Sequence, residues 1–269
     1  MVYKNSEMIK AAVIGDPIAH SLSPKIHNFF LKELGIEGDY QAICVKKDEL
    51  QQAVKDLINQ GFAGFNVTIP HKEKIFEMCD ELDETAKLTG AVNTVVITKE
   101  KKLLGLNSDV SGFLKNLQNC QPDFELKNKT CFVVGAGGAA RAVVFGLIKS
   151  GVKKIYLTNR TPKNLFEAEF LSKENFEKKL SECDLLVNST SLGMSGQEPL
   201  ILDLSRLNQS AIVYDIVYKP LETELLKLAK VRGNKIVTGI GMLVEQALVG
   251  FEAWFGQKPK SDTKIMQII

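Results

Sequence analysis

Residues 130–149, TCFVVGAGGAARAVVFGLIK, decide the fold of this 269-residue chain. An apolar run that suits a strand leads into a glycine-rich turn, and a long apolar stretch with helical spacing follows it. The turn, Gly135 to Ala140, fits the pattern G-x-G-x-x-G/A that joins a strand to a helix in dinucleotide-binding folds. Such glycines also occur in purely structural turns, but the strand before and the helix after favour a dinucleotide site.

Each small residue of this turn has a separate physical task. Gly135 permits the tight turn, Gly137 lets the backbone approach a pyrophosphate, and Ala140 allows the helix to pack closely on the strand. The N-terminus of the helix then presents unpaired N–H groups and the positive end of its dipole to the phosphates.

The segment after the next strand indicates which dinucleotide binds. Asn159-Arg160-Thr161 follows that strand, with Lys163 beyond. NAD-specific folds place an acidic residue about 20 residues after the glycines to bind the ribose 2′-hydroxyl, and residues 158–163 contain no carboxylate. Arg160 can instead make a forked, charge-assisted contact with a 2′-phosphate, and Thr161 can donate its hydroxyl. Arg160 could also be an ordinary exposed residue at a strand end, but its position and the missing acid favour NADP.

Strand-like and helix-like segments alternate along the chain, which predicts an α/β fold with a mainly parallel sheet. The alternation forms two series, so we predict two domains. The first is a substrate-binding catalytic domain over residues 1–108, completed by C-terminal helices at about 240–269, and the second is a Rossmann-like NADP-binding domain over residues 109–239. In the second series the predicted strands are Thr130–Val134, Lys154–Thr158, Leu185–Asn188, Ile212–Asp215 and Lys235–Val237. The segment from Thr161 to Cys183 is short for its place, so we expect one strand there to be missing or reshaped.

Composition narrows the class of protein. The formal net charge is only +2, which gives no electrostatic case for a nucleic-acid or membrane partner. The five cysteines form no CxxC pair and the three histidines lack metal-ligand spacing, so we expect no metal site and a reducing cytoplasmic location. We therefore expect a cytoplasmic protein that acts on a small molecule. Composition leaves the number of subunits open, and we expect a monomer or homodimer.

Polar residues in the first half of the chain stand where strands lead into helices. Ser23 suits the N-cap of a helix and Pro24 its first position, but capping does not explain Ser21, and two hydroxyls beside a helix N-terminus suit a carboxylate. Lys72 would lie in a first helical turn, where the helix dipole disfavours a cation, although an isolated lysine is most often simply solvated. Asp109 adds a carboxylate near a strand end, and taken by itself it is better explained as the cap of the following helix.

Taken in order, the motifs of this chain resemble those of the shikimate dehydrogenase family over essentially its whole length. They are Ser21-Leu22-Ser23-Pro24, Asn66-Val67-Thr68-Ile69-Pro70-His71-Lys72, Gly90-Ala91-Val92-Asn93-Thr94, Asn107-Ser108-Asp109, Gly135–Ala139, Asn159-Arg160-Thr161, Asn188-Ser189-Thr190-Ser191, Asp215-Ile216-Val217-Tyr218-Lys219-Pro220 and Gly241-Met242-Leu243-Val244-Glu245-Gln246-Ala247. The resemblance implies reversible reduction of 3-dehydroshikimate to shikimate with NADPH, in chorismate and aromatic amino-acid biosynthesis. A quinate/shikimate dehydrogenase with broader substrate or cofactor use is the alternative, and a non-catalytic NADP-binding sensor would need neither Lys72 nor Asp109.

The same resemblance implies a role for each candidate residue. Lys72 and Asp109 would form the catalytic pair. The residues implied in substrate binding are Ser21 and Ser23 for the carboxylate, Thr68, Asn93 and Gln246 for ring hydroxyls, and Asn66 and Tyr218 close by. Those implied in cofactor binding are Gly135, Ala136, Gly137, Gly138 and Ala139 at the pyrophosphate, Asn159, Arg160, Thr161 and Lys163 at the 2′-phosphate, Ile216 and Gly239 at the nicotinamide, and Glu84 near the cofactor.

Overall fold

Two sheets, one in each of two units, organise the computed structural model, which describes residues 8–261 and 264–265. The first unit contains the described residues up to Ser108 together with those from Val244 onward, and the second unit is Asp109–Leu243. The chain therefore passes from one unit to the other twice. The predicted α/β class is confirmed.

The sheet of the first unit has the strand order β2-β1-β3-β5-β6-β4. Strand β1 pairs in parallel with both β2 and β3, whereas β5 runs antiparallel to β3 and β6. The elements in chain order are β1 (Ile9–Gly15), α1 (Ser23–Leu34), β2 (Gly38–Cys44), α2 (Leu50–Asn59), β3 (Gly64–Val67), α3 (Lys72–Phe76), β4 (Glu81–Leu82), α4 (Glu84–Thr89), β5 (Thr94–Ile97) and β6 (Leu103–Leu106).

The sheet of the second unit has the order β12-β11-β10-β7-β8-β9, and every neighbouring pair in it is parallel. Its elements are α5 (Asp109–Cys120), β7 (Thr130–Val134), α6 (Gly138–Lys149), β8 (Lys154–Thr158), β9 (Glu169–Phe170), α7 (Lys173–Lys178), a 3-10 turn at Leu180–Glu182, β10 (Leu185–Asn188), β11 (Ile212–Asp215), α8 (Glu224–Val231) and β12 (Lys235–Val237). Helix α9, Ile240–Phe255, begins in this unit and ends in the first.

Strand β7 shows why its sequence is apolar at nearly every position. Successive side chains of a strand point to opposite faces, and here Cys131 and Val133 enter one core cluster while Phe132 and Val134 enter the other. A central parallel strand is thus buried on both faces, which requires a continuous apolar run instead of an alternating one. This burial fixes the strand that delivers the glycine turn.

The short segment from Thr161 to Cys183 contains a strand, β9, and a helix, α7, but no helix lies between β8 and β9. The expected strand is present as β9, reduced to two residues that pair with Tyr156 and Leu157. Residues 159–168, all of which the structure describes, contain no helix between β8 and β9. The shortening therefore falls on the connection and leaves the sheet complete.

The described residues lack the features of a membrane helix, a metal site and a disulfide bond. Among the described residues, no helix is long and apolar enough to cross a membrane. The same residues show no group of three or more His, Cys, Asp and Glu side chains that could hold a metal ion. All five cysteines are free thiols, and burial raises the pKa of Cys131 and Cys183 above the ordinary range.

His27 of α1 is a packing residue at the centre of an aromatic cluster. Its ring is fully buried, stacks on Tyr40 with centroids 3.9 Å apart, and lies 6.0 Å from Phe251 and 5.6 Å from Trp254. Neither ring nitrogen has a hydrogen-bond partner within bonding distance among the described atoms. Burial lowers the pKa of His27 to about 3, and the nearby Asn66 side chain opposes that shift only in part.

His27 should make the first unit sensitive to acid. Its neutral form is favoured in the folded state, so its contribution to stability is present above pH about 6.5 and is lost as pH falls towards 3. We expect the free energy of unfolding to fall by about 2 kcal/mol between pH 7 and 5 from this group alone. Urea unfolding followed by the fluorescence of Trp254, the single tryptophan, measures this change.

The variant His27→Phe retains aromatic packing and should lose that part of the pH dependence. The matched control is His20→Gln, because His20 is exposed, and it should behave as wild type. An unchanged pH dependence in His27→Phe would contradict this account.

Candidate functional site

A buried polar network lies at the ends of β3 and β5 in the first unit. Asn66 on β3 accepts a hydrogen bond from the Tyr40 hydroxyl at 2.6 Å, and its Nδ2 donates to Thr94 Oγ1 at 3.0 Å and to the Asn93 carbonyl at 3.2 Å. These partners fix the orientation of the Asn66 carboxamide. Asn66 therefore supports its neighbours from within the network, and Tyr40 is a member that sequence reasoning missed.

Asn93 and Gln246, far apart in sequence, meet in this network. The Asn93 Nδ2 donates to Ser108 Oγ at 2.9 Å and to Gln246 Oε1 at 3.3 Å. The Asn93 Oδ1 accepts the backbone N–H of Ser108 at 2.8 Å. Ser108 was also missed as a site residue, although its place beside Asp109 in the Asn107-Ser108-Asp109 motif was a usable signal.

The start of α1 differs from the predicted capping. Ser23 is the first residue of the helix, the N-cap position is Leu22, and no side chain caps the helix. The expectation that Ser23 is the N-cap is therefore wrong. Instead the Ser21 hydroxyl accepts the N–H of Ser23 at 3.3 Å, because the chain turns one residue earlier than the Ser-Pro pattern suggested. The two serines are held side by side at the beginning of the helix.

The loop from Thr68 to Lys72 leaves β3 and enters α3. Its backbone is held by the N–H of Thr68, which bonds to the Ile14 carbonyl at 3.0 Å. His71 is fully buried, with Nε2 2.7 Å from the Val45 carbonyl. Lys72 is the first residue of α3, as predicted, and its carbonyl accepts the N–H of Val92 at 2.9 Å. Hydrogen bonds thus fix the backbone of Lys72 and of the residues that precede it.

In the glycine turn of the second unit, Gly135 and Gly137 lie in different surroundings. Gly135 has a φ of +110°, and a Cβ there would lie 2.8 Å from both Ser189 Oγ and Thr190 Cγ2. Gly137 precedes α6 with an ordinary φ of −89°, and a Cβ there would meet nothing within 4 Å. The fold itself requires Gly135, whereas Gly137 faces open space at the helix N-terminus.

The turn after β8 is short and polar. Asn159 Nδ2 donates to the Thr161 carbonyl at 2.9 Å. Arg160, Thr161 and Lys163 are all exposed. The structure therefore brings these candidates together on one exposed turn at the end of β8, a strand that neighbours β7.

Asp215 at the end of β11 is a buried hub. Its carboxylate accepts Thr223 Oγ1 at 2.7 Å, Asn188 Nδ2 at 3.0 Å and the N–H of Val217 at 3.0 Å, and burial raises its pKa. These bonds connect the loops after β10 and β11 to the start of α8. The motif that begins at Asp215 did not predict that its carboxylate joins these loops.

Three further candidates, Ile216, Tyr218 and Gly239, lie in loops of the second unit. Ile216 and Tyr218 are half-buried in the loop after β11. A Cβ at Gly239 would overlap the carbonyl oxygen of Ile216, so only glycine allows this approach of the two segments. The candidates Ile216 and Gly239 are thus brought together.

The remaining candidates begin helices. Asp109 is the first residue of α5 and is buried. Glu84 is the exposed first residue of α4, which Asp83 caps. Lys72 and Glu84 belong to the first unit. The catalytic candidate Asp109 belongs to the second unit, as do all the cofactor candidates except Glu84.

Comparisons with known proteins identify relatives along the chain. Residues 13–95 match the family model described as the shikimate dehydrogenase substrate binding domain, and residues 239–266 match the shikimate 5'-dehydrogenase C-terminal domain. Shikimate dehydrogenase (NADP(+)) of Paramagnetospirillum magneticum is 43% identical, over 96% of this chain and 97% of that protein.

Solved structures give the same picture in three dimensions. Shikimate 5-dehydrogenase of Thermus thermophilus, in complex with NADP(H) and shikimate, superposes with a TM-score of 0.85 at 36% identity and covers 97% of each chain. Quinate dehydrogenase of Corynebacterium glutamicum, in complex with NAD, has a TM-score of 0.85 at 28% identity, again over 97% of each chain.

Proposed function

Because the chain belongs to the shikimate dehydrogenase family, we propose that it catalyses the reversible NADPH-dependent reduction of 3-dehydroshikimate to shikimate. The observation that carries this proposal is the match over 96% of the chain to a protein named shikimate dehydrogenase (NADP(+)). The glycine turn before α6 and the carboxylate-free turn after β8 support NADP as the cofactor. The reaction belongs to chorismate and aromatic amino-acid biosynthesis.

The first unit is proposed to bind the substrate, which carries one carboxylate and several ring oxygens. Ser21 and Ser23, held together at the start of α1, would receive the carboxylate, since a helix N-terminus attracts anions. The side chains proposed to bind ring oxygens are Thr68, Asn93 and Gln246, with Asn66 holding the network behind them. Fixed amide orientations in that network support this role, because oriented donors and acceptors select for the positions of hydroxyls. Tyr218, in the loop after β11 of the second unit, is the remaining substrate candidate.

The second unit is proposed to bind NADP. Gly135 to Ala139 would hold the pyrophosphate, and the open space at Gly137 fits the close approach of a phosphate to the backbone. Asn159 to Lys163 would hold the 2′-phosphate, and Ile216 with Gly239 would lie against the nicotinamide. Glu84, the first residue of α4 in the first unit, is proposed near the cofactor from the family resemblance alone.

When bound, NADPH supplies the hydride that reduces the substrate carbonyl carbon. Lys72 would donate a proton to the oxygen as negative charge develops on it, and in the reverse direction it would accept the hydroxyl proton. Asp109, the buried first residue of α5, is proposed as the second member of the catalytic pair, as in the family. The fixed backbone of Lys72 at the beginning of α3, whose carbonyl accepts the N–H of Val92 at 2.9 Å, supports a defined position for this proton donor.

We also propose that the enzyme acts in the cytoplasm as a monomer or homodimer, without nucleic-acid or membrane partners. The five free cysteines support a reducing compartment. Light scattering on the purified chain determines the number of subunits.

Steady-state kinetics with shikimate and quinate, each with NADP and with NAD, tests the proposed activity. Shikimate with NADP should give the highest kcat/KM of the four combinations. Failure to oxidise shikimate with NADP would refute the proposal. The alternative, a quinate/shikimate dehydrogenase, is favoured by the quinate dehydrogenase likeness at 28% identity and would give comparable kcat/KM for quinate.

Gly137→Ala should separate cofactor binding from folding. The added methyl meets nothing in the protein, so the melting temperature should not change. It would occupy the space proposed for the pyrophosphate, and the Kd for NADP measured by calorimetry should rise by about tenfold or more. Gly146→Ala on the same helix is the control, because its Cβ would make only ordinary contacts, and it should bind NADP normally. Normal binding by Gly137→Ala would contradict the proposed pyrophosphate position.

Lys72→Ala should abolish most turnover while NADP binding survives. Loss of a positioned proton donor typically lowers rates by about 100- to 10,000-fold, and stopped-flow or steady-state assays measure kcat directly. Lys74→Ala is the matched control, since Lys74 lies on the same helix in an exposed ion pair with Glu77. Near-normal turnover of Lys72→Ala would refute the proton-donor role.

A further inference from the structure

The connection between β8 and β9 is unusual for a parallel pair. Parallel neighbours require a crossover of about a dozen residues or more, and this is usually a helix. The preceding crossover, from β7 to β8, contains helix α6. Residues 159–168, each of them described, cross from β8 to β9 without a helix. We refer to residues 159–168 as the crossover loop.

Two side chains of the crossover loop occupy the layer where a helix would pack. Leu165 and Ala168 are 2% and 6% exposed and belong to the core cluster that includes Leu157 of β8 and Val144 of α6. The N–H of Ala168 bonds to the Leu165 carbonyl at 3.0 Å, which closes a tight turn. Two buried side chains therefore replace the apolar face of a helix.

Phe166, which follows Leu165 in this turn, has a backbone conformation that shows the turn is constrained. Phe166 has a φ of +51°, in the left-handed region that side-chain-bearing residues rarely adopt. Its ring lies 6.1 Å from that of Phe145 on α6. A left-handed residue persists only where the surrounding structure determines it, so the burial of Leu165 and Ala168 sets the backbone here.

The other half of the crossover loop carries the groups proposed to bind the 2′-phosphate. Arg160, Thr161 and Lys163 are exposed and lie between buried Thr158, the last residue of β8, and buried Leu165. This turn offers no helix N-terminus to the phosphate, in contrast to the start of α6. Recognition here depends on where the chain holds the cationic and hydroxyl side chains.

We propose that Leu165 is a positioning residue that sets the preference for NADP over NAD. It anchors the far end of the segment bearing Arg160 and Lys163, so that these side chains are already placed when the 2′-phosphate arrives. The inference rests on the proposed function, in which the dinucleotide is NADP. Without the anchor, binding of the 2′-phosphate must order the segment, and that ordering opposes binding. NAD has no 2′-phosphate and does not engage the segment, so its affinity is independent of the anchor.

Calorimetric Kd values for NADP, NAD and adenosine 2′,5′-bisphosphate test the proposal in wild type and Leu165→Ala. The variant should raise the Kd for NADP and for the bisphosphate by about tenfold and change that for NAD by less than about twofold. Leu117→Ala is the matched control, because Leu117 is also 2% exposed in the same core cluster but lies on α5. It should lower the melting temperature similarly and leave the NADP/NAD ratio unchanged. Arg160→Ala should shift the ratio in the same direction as Leu165→Ala.

An unchanged NADP/NAD ratio in Leu165→Ala, or an equal shift in Leu117→Ala, would overturn the role of Leu165. Leu165→Met nearly conserves the side-chain volume and should restore the wild-type ratio. If Leu165→Ala does not fold, Leu165→Val decides the question by the same ratio. A wild-type protein that binds NADP and NAD equally would instead refute the proposed cofactor, and that outcome is distinct from failure of the anchor.

Discussion

In a parallel sheet the carboxyl ends of all strands lie along one edge, and the turns at that edge expose the N-termini of the helices that follow. In the second unit, β7, β8, β10 and β11 end at Val134, Thr158, Asn188 and Asp215, so their turns share this edge. Asp215 binds the loops after β10 and β11 together through three hydrogen bonds. The proposed cofactor residues therefore owe their proximity to strand order, although they are scattered in sequence.

In the first unit, the network around Asn66 and Asn93 meets a different requirement, which is to keep its own buried polar groups satisfied. A buried donor or acceptor without a partner costs about 1–3 kcal/mol, and Asn66, Asn93 and Ser108 avoid that cost by bonding one another and their neighbours. Because this satisfaction precedes any ligand, the amides are already oriented. A site of this kind favours substrates whose hydroxyls match the orientation and disfavours those that leave an amide unpaired.

Sequence reasoning succeeded where burial alone determines structure. The five predicted strands of the second unit match the observed bounds of β7, β8, β10, β11 and β12. The first four are buried along nearly their whole length and so leave a continuous apolar run, whereas β12 is an edge strand that begins at exposed Lys235. Sequence reasoning missed β4, whose two residues carry no periodicity, and it expected the strand at β9, which is two residues long, to be missing or reshaped. It also misplaced the N-cap of α1 and overlooked Tyr40 and Ser108, since those roles depend on contacts between residues distant in sequence. The motifs predicted which residues to consider, but not which of them support others.

The second unit offers two kinds of group to a phosphate, the backbone N–H groups at the start of α6 and the side chains of the turn after β8. The two kinds differ in whether they can distinguish NADP from NAD. Backbone N–H groups at the start of α6 attract any phosphate, and the pyrophosphate is common to NAD and NADP. Only the turn after β8 is proposed to meet the 2′-position, where the two cofactors differ. The groups proposed to discriminate are side chains on a loop, and their effect would depend on charge and on how firmly the loop is held. A crossover loop with two buried anchors would therefore set cofactor preference without disturbing the sheet or the glycine turn.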